Sequence, residues 1–104
     1  MSNWIAVGHL TDLPAQGARV VEHNGQRIAL FRTNGDAVHA LIDRCPHKGG
    51  QLSQGMVCGN RVTCPMHNWS IELASGQAVA PDVGQAQTVP VKVDEAGAIY
   101  IGSA

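Results

Sequence analysis

Two short runs of the chain each set a cysteine close to a histidine: Cys45-Pro46-His47 and, sixteen residues further on, Cys64-Pro65-Met66-His67. Thiolate and imidazole are both metal ligands, and four of them at such spacings strongly constrain a chain of 104 residues. In a loop, ligands two or three apart can converge on one site. The fold therefore has to bring two loops together, as a hairpin between them would. Three cysteines is an odd number, and two of them beside histidines argue for metal ligation over a disulfide framework, in a reducing compartment.

The length predicts a single domain spanning residues 1–104, with the metal-binding part at about 43–83. A net charge of -1 with acids and bases interspersed gives neither the basic footprint of a nucleic-acid binder nor a polybasic membrane-surface segment. The opening Met1-Ser2-Asn3-Trp4 lacks the layout of a signal peptide, and every apolar run is far too short to span a bilayer, so the expected location is cytoplasmic. Trp4, Phe31, Trp69 and Tyr100 are the whole aromatic set. The core must rest mostly on aliphatic residues, which leaves a metal centre a share in stability.

Short apolar or alternating segments recur every 8 to 12 residues or so, the spacing of small antiparallel sheets. Strands are predicted at Trp4–Gly8, Arg19–Glu22, Gln26–Arg32, Ala37–Ile42, Arg61–Thr63, Ser70–Glu72, Gln87–Val93 and Ala98–Ile101. Asn24-Gly25 and Asn34-Gly35 supply the positive backbone angles of tight hairpin turns, and Asp94 to Gly97 reads as a last hairpin turn. Gly59-Asn60 and Ser75-Gly76 are similar punctuation. Leu10 to Pro14 can form one short helical turn, but no stretch sustains a 3.6-residue apolar period. The fold class is all-β. From Asp43 to Val57 the alternation breaks down and a loop is expected; a second begins at Cys64.

Two cysteines and two histidines suit either a tetrahedral structural zinc or a two-iron cluster with cysteines on one iron and histidines on the other. Zinc sites of this composition usually pair like with like on each knuckle, whereas here each loop mixes the types. Mixed loops suit a two-iron centre, because each can give one ligand to each iron.

The pattern C-x-H, sixteen residues, C-x2-H resembles the Rieske family. The resemblance extends to Gly49 and Gly50, which let the backbone approach closely, and to Ala80-Pro81, placed where the family has a proline-bearing third loop. It implies a small antiparallel β-sandwich with a two-loop cluster-binding subdomain. It also implies a 2Fe-2S cluster held by Cys45 and Cys64 on the buried iron and by His47 and His67 on the outer one. Gly49, Gly50, Asn68, Trp69 and Pro81 would line the cofactor.

Two ferric ions, two sulfides and two thiolates sum to zero charge, which eases reduction: Rieske centres lie at about -150 to +300 mV against about -400 mV for plant-type ferredoxins. High-potential members carry a disulfide between the loops where this chain has Gly50 and Met66, and often a serine hydroxyl where it has Trp69. Fewer donors to the reduced cluster predict a potential toward the low end.

Outside the motif, Arg44 and Lys48 read as solvated charge, or on the rim as docking points for an acidic surface. Cys58 reads as a small buried or half-buried residue, and His9, His23 and His39 as surface or strand histidines. Trp69 reads as packing beneath its loop.

Within the family, Cys45-Pro-His-Lys-Gly-Gly-Gln-Leu-Ser-Gln-Gly55 and Cys64-Pro-Met-His-Asn-Trp69 look like the small subunits of NAD(P)H-dependent nitrite reductases. So do Ser75 to Ala78, Ala80 to Gly84 and Val89 to Val93. That resemblance implies a large flavin and sirohaem subunit, or another redox protein, as partner, with neither nucleic acid nor membrane. The chain has no nucleotide-binding glycine fingerprint and no nucleophile paired with a base, so no catalytic residues are assigned. A free ferredoxin feeding a ring-hydroxylating dioxygenase, and a subunit whose metal only staples two loops, are the alternatives.

Overall fold

The computed structural model describes residues 3–23, 25–33, 37–44, 51–64, 69–79 and 84–103. The strands are β1 (Asn3–His9), β2 (Ala18–His23), β3 (Gln26–Arg32), β4 (Val38–Ile42), β5 (Met56–Cys58), β6 (Arg61–Thr63), β7 (Ser70–Glu72), β8 (Thr88–Val89), β9 (Val91–Val93) and β10 (Ala98–Ser103). They form three antiparallel sheets, ordered β1-β10-β9, β2-β3-β4-β8 and β5-β6-β7.

The four-stranded sheet is the middle layer, and the side-chain period of two explains why. Along β3, Ile28 and Leu30 point into one apolar cluster with Ile99, Ile101 and Leu13. Ala29 and Phe31 point into another with Leu52, Val57, Val62, Cys64 and Ile71. On β4, Ala40 and Leu41 divide in the same way. An unbroken Ile-Ala-Leu-Phe run is thus the signature of a strand buried on both faces. Each fully buried large side chain there contributes about 1.5–3 kcal/mol of burial free energy.

Seven of the eight predicted strands appear with small changes at their ends, and the short helical turn appears as a 3-10 turn at Leu10–Asp12. In that turn Asp12 accepts the His9 backbone N–H at 3.0 Å and the His9 ring accepts the Thr11 N–H at 3.2 Å. The exception is Gln87–Val93, which is two strands. Pro90 has no N–H to give a ladder, and at Pro90 the chain leaves β4 for β10, changing sheets. The expected loop from Asp43 to Val57 also holds structure: a 3-10 turn at Leu52–Gln54 and the start of β5.

Cys58 is exposed, contrary to the buried or half-buried position expected of it. Of the three residues of β5 only Val57 faces the core; Met56 and Cys58 stand on the outer face. The Asn34-Gly35 turn lies outside the described residues. Gly59, with φ 58°, makes the two-residue turn into β6 together with Asn60. Among the described residues, no helix is long and apolar enough to cross a membrane.

Candidate metal centre

Cys64 follows β6 directly, with 1% of its surface exposed, amid Leu52, Val57, Val62, Ile71 and Leu73. Its backbone N–H donates to the Trp69 carbonyl at 2.7 Å. That bond carries the β6–β7 pairing one rung beyond Thr63↔Ser70, which fixes Cys64 and Trp69 opposite each other. Trp69 is partly buried against the same cluster, as packing beneath the loop requires.

The first loop departs from the end of β4. Arg44 N–H donates to the Ile42 carbonyl at 2.7 Å, a three-residue turn that swings the chain off the sheet. It returns through the Leu52–Gln54 turn, where Leu52 is wholly buried beside Cys64. Gly55 then passes so close to β6 that a Cβ on it would lie 2.2 Å from the Thr63 carbonyl oxygen. Only glycine lets the two backbones meet there.

A third segment, residues 80–83, is closed at its base by Ala78 N–H donating to the Gly84 carbonyl at 2.9 Å, and Val79 N–H donates to the Ser70 carbonyl at 2.8 Å. Thr63 and Ser70 hydroxyls lie 3.4 Å apart. The returning side of the first loop at Gly55, the base of the second at Cys64 and Trp69, and Val79 before the third thus meet along one rung, Thr63-Cys64 facing Trp69-Ser70.

Cys64 and Trp69 are the site residues from the sequence that fall among the described ones. Cys45, His47, Gly49, Gly50, His67, Asn68 and Pro81, with Lys48, lie outside the described residues. Arg44 is exposed at the mouth of the first loop. The donor chemistry fits an iron-sulfur group, which takes cysteine sulfur as a ligand, and the sulfur of Cys64 sits among apolar side chains away from water. Sequence reasoning passed over Asp43, Ser53 and Gly55, which shape the first loop. Asp43 is buried and its carboxylate accepts hydrogen bonds from the Ser53 backbone N–H at 2.7 Å and the Ser53 hydroxyl at 2.8 Å.

The described residues define a small all-β domain of three antiparallel sheets, with Cys64 buried beside the end of β6. The Rieske [2Fe-2S] domain model matches residues 3–91, and the chain belongs to that family. It is a Rieske electron-transfer protein with a 2Fe-2S cluster as cofactor. It is 31% identical over 93 residues to the ferredoxin component of the naphthalene 1,2-dioxygenase/salicylate 5-hydroxylase systems of a Ralstonia species, covering 88% of each chain.

Among solved structures it resembles one described as a nitrite reductase NADPH small subunit, with TM-score 0.82 and 26% identity over 95% of this chain and 97% of that one. A second, described as an NADH-dependent nitrite reductase small subunit from Mycobacterium tuberculosis, shares the fold with TM-score 0.89 at 22% identity, over 100% and 97% of the two chains. Other relatives are longer: the chain spans 17% of Oxidoreductase NdmD and 29% of a carnitine monooxygenase oxygenase subunit.

Proposed function

We propose that Cys45, His47, Cys64 and His67 hold the cluster within residues 43–83 of a single domain. We propose further that the chain is the small subunit of an assimilatory NAD(P)H-dependent nitrite reductase. The observation that carries the second reading is the wording around the ligands, Lys48-Gly49-Gly50 and His67-Asn68-Trp69, with the matching segments at 75–78, 80–84 and 89–93. Likeness over nearly the full length to a structure described as such a subunit supports it.

When bound, the cluster takes up and returns one electron at a time. The chain's own part is to hold and insulate it. The apolar residues around Cys64 exclude water from that ligand. Exposed Arg44, at the start of the first loop, supplies positive charge for an acidic docking surface. The partner is the large subunit that takes hydride from NAD(P)H onto flavin and reduces nitrite to ammonia at sirohaem, and the complex is cytoplasmic.

Reconstitution tests this. Nitrite-dependent oxidation of NAD(P)H by the large subunit should rise severalfold on adding the loaded chain and remain basal with a Cys64→Ser variant. Equal rates with and without the chain would refute the assignment.

A second reading, a free ferredoxin for an oxygenase, is favoured by the 31% identity to a dioxygenase ferredoxin component. Under it the chain would support oxygenase turnover by a flavin reductase and leave nitrite reduction unaffected. Full activity with cluster-free protein would instead identify a structural subunit.

A further inference from the structure

The first cluster loop leaves the fold at Asp43 and re-enters it at Ser53, and these two residues grip each other. One Asp43 oxygen accepts the Ser53 backbone N–H at 2.7 Å; the other accepts the Ser53 hydroxyl at 2.8 Å. Two bonds in different directions fix both the position and the orientation of Ser53. Asp43 is itself anchored, its backbone N–H donating to the Arg27 carbonyl at 2.9 Å and so extending the β3–β4 ladder beyond Ile28↔Ile42.

The carboxylate is fully shielded from solvent, and its charge is balanced by the Arg27 guanidinium at 3.7 Å. On the other side of the clasp, Leu52 is seated in the core beside Cys64. Arg44 follows β4 of the central sheet, and Leu52 lies in the apolar cluster that holds Cys64.

We propose that the Asp43–Ser53 clasp is a positioning device that fixes the two ends of the first ligand loop relative to Cys64. This inference rests on the reading that Cys45 and His47 are ligands. Neither Asp43 nor Ser53 is given a metal-binding role; they act through the loop between them. A polar pair that served stability alone would lower the melting temperature and leave the cluster's electronic environment unchanged.

Thr33 supplies the comparison. Its hydroxyl accepts the Ala37 N–H at 3.2 Å in the connection between β3 and β4, at the opposite end of those strands from Asp43. The experiment compares cluster-loaded wild type with Ser53→Ala, Ser53→Thr and Thr33→Val. Melting temperature, the g values of the dithionite-reduced protein and the rate of iron release to a chelator are read on each.

Ser53→Ala should shift the g values and release iron roughly fivefold faster, the equivalent of one net hydrogen bond. Ser53→Thr, which keeps the hydroxyl, should recover wild-type values, and Thr33→Val should lower the melting temperature alone. Ser53→Ala protein isolated without iron, beside fully loaded Thr33→Val, is the same result in a stronger form. Wild-type g values and release rate in Ser53→Ala would overturn the proposal, as would Thr33→Val disturbing the cluster equally. Failure of the underlying ligand reading shows separately, as a Cys45→Ser variant that keeps two irons and the wild-type signal.

Discussion

The two described cysteines differ in a way that only their strands explain. Cys64 closes a buried rung, whereas Cys58 stands on the outer face of a three-residue strand beside its turn. Cys64→Ser should lower bound iron by more than roughly tenfold, since even indirect supports of a metal cost 10–100-fold in affinity. Cys58→Ser should leave the iron and sulfide content unchanged, and iron assay of the two proteins checks both. His39 on β4 offers a second residue-level test, because partial burial holds its imidazole below the ordinary value of 6.5. The unfolded chain then binds a proton that the folded one resists, so stability is complete above about pH 6.5 and declines as pH falls toward the depressed folded value. Melting temperature followed from pH 7.5 to 5 should fall less steeply in His39→Gln than in wild type.

The β5–β6 hairpin shows what one element contributes. Gly59 has φ 58° and open space around it, so Gly59→Ala costs only left-handed strain, about 1–2 kcal/mol. Gly55 has ordinary φ but no room, and Gly55→Ala must push β5 off β6 next to Cys64. The second substitution should be the more damaging, lowering both the melting temperature and the iron content, while the first lowers the melting temperature alone by roughly 4–8 °C per kcal/mol. Strands of five to seven residues with an apolar face, such as β3 and β4, were legible in the sequence because burial on two faces leaves an unbroken apolar run. β5 was not, because Met56 and Val57 close the stretch from Asp43 whose broken alternation reads as a loop. The reading of Gln87–Val93 as one strand runs through Pro90, and only pairing shows that β8 and β9 belong to different sheets. The ligand motif was legible because thiols and imidazoles at fixed spacing have few other uses. Asp43 and Ser53 were not: a carboxylate and a hydroxyl in a polar loop read as solvated until the fold closes them onto each other.

At the scale of the whole molecule, the middle sheet separates two apolar clusters, and the proposed ligand Cys64 belongs to the one that holds Val57, Val62 and Ile71. Removing iron should therefore loosen the protein unevenly. Amide exchange in cluster-free protein should accelerate in β5, β6 and β7, while β1, β10 and the β3 amides paired with β2 and β4 keep most of their protection. Uniform loss of protection would mean that the two clusters unfold as one.

The central claim is a Rieske cluster bound by two cysteines and two histidines, and electron paramagnetic resonance of the purified protein before and after dithionite tests it most directly. Iron and sulfide are assayed on the same sample. The account predicts silence when oxidised, then a rhombic signal of low average g when reduced, with two irons and two sulfides per chain. A sample silent in both states and holding one zinc per chain would contradict it.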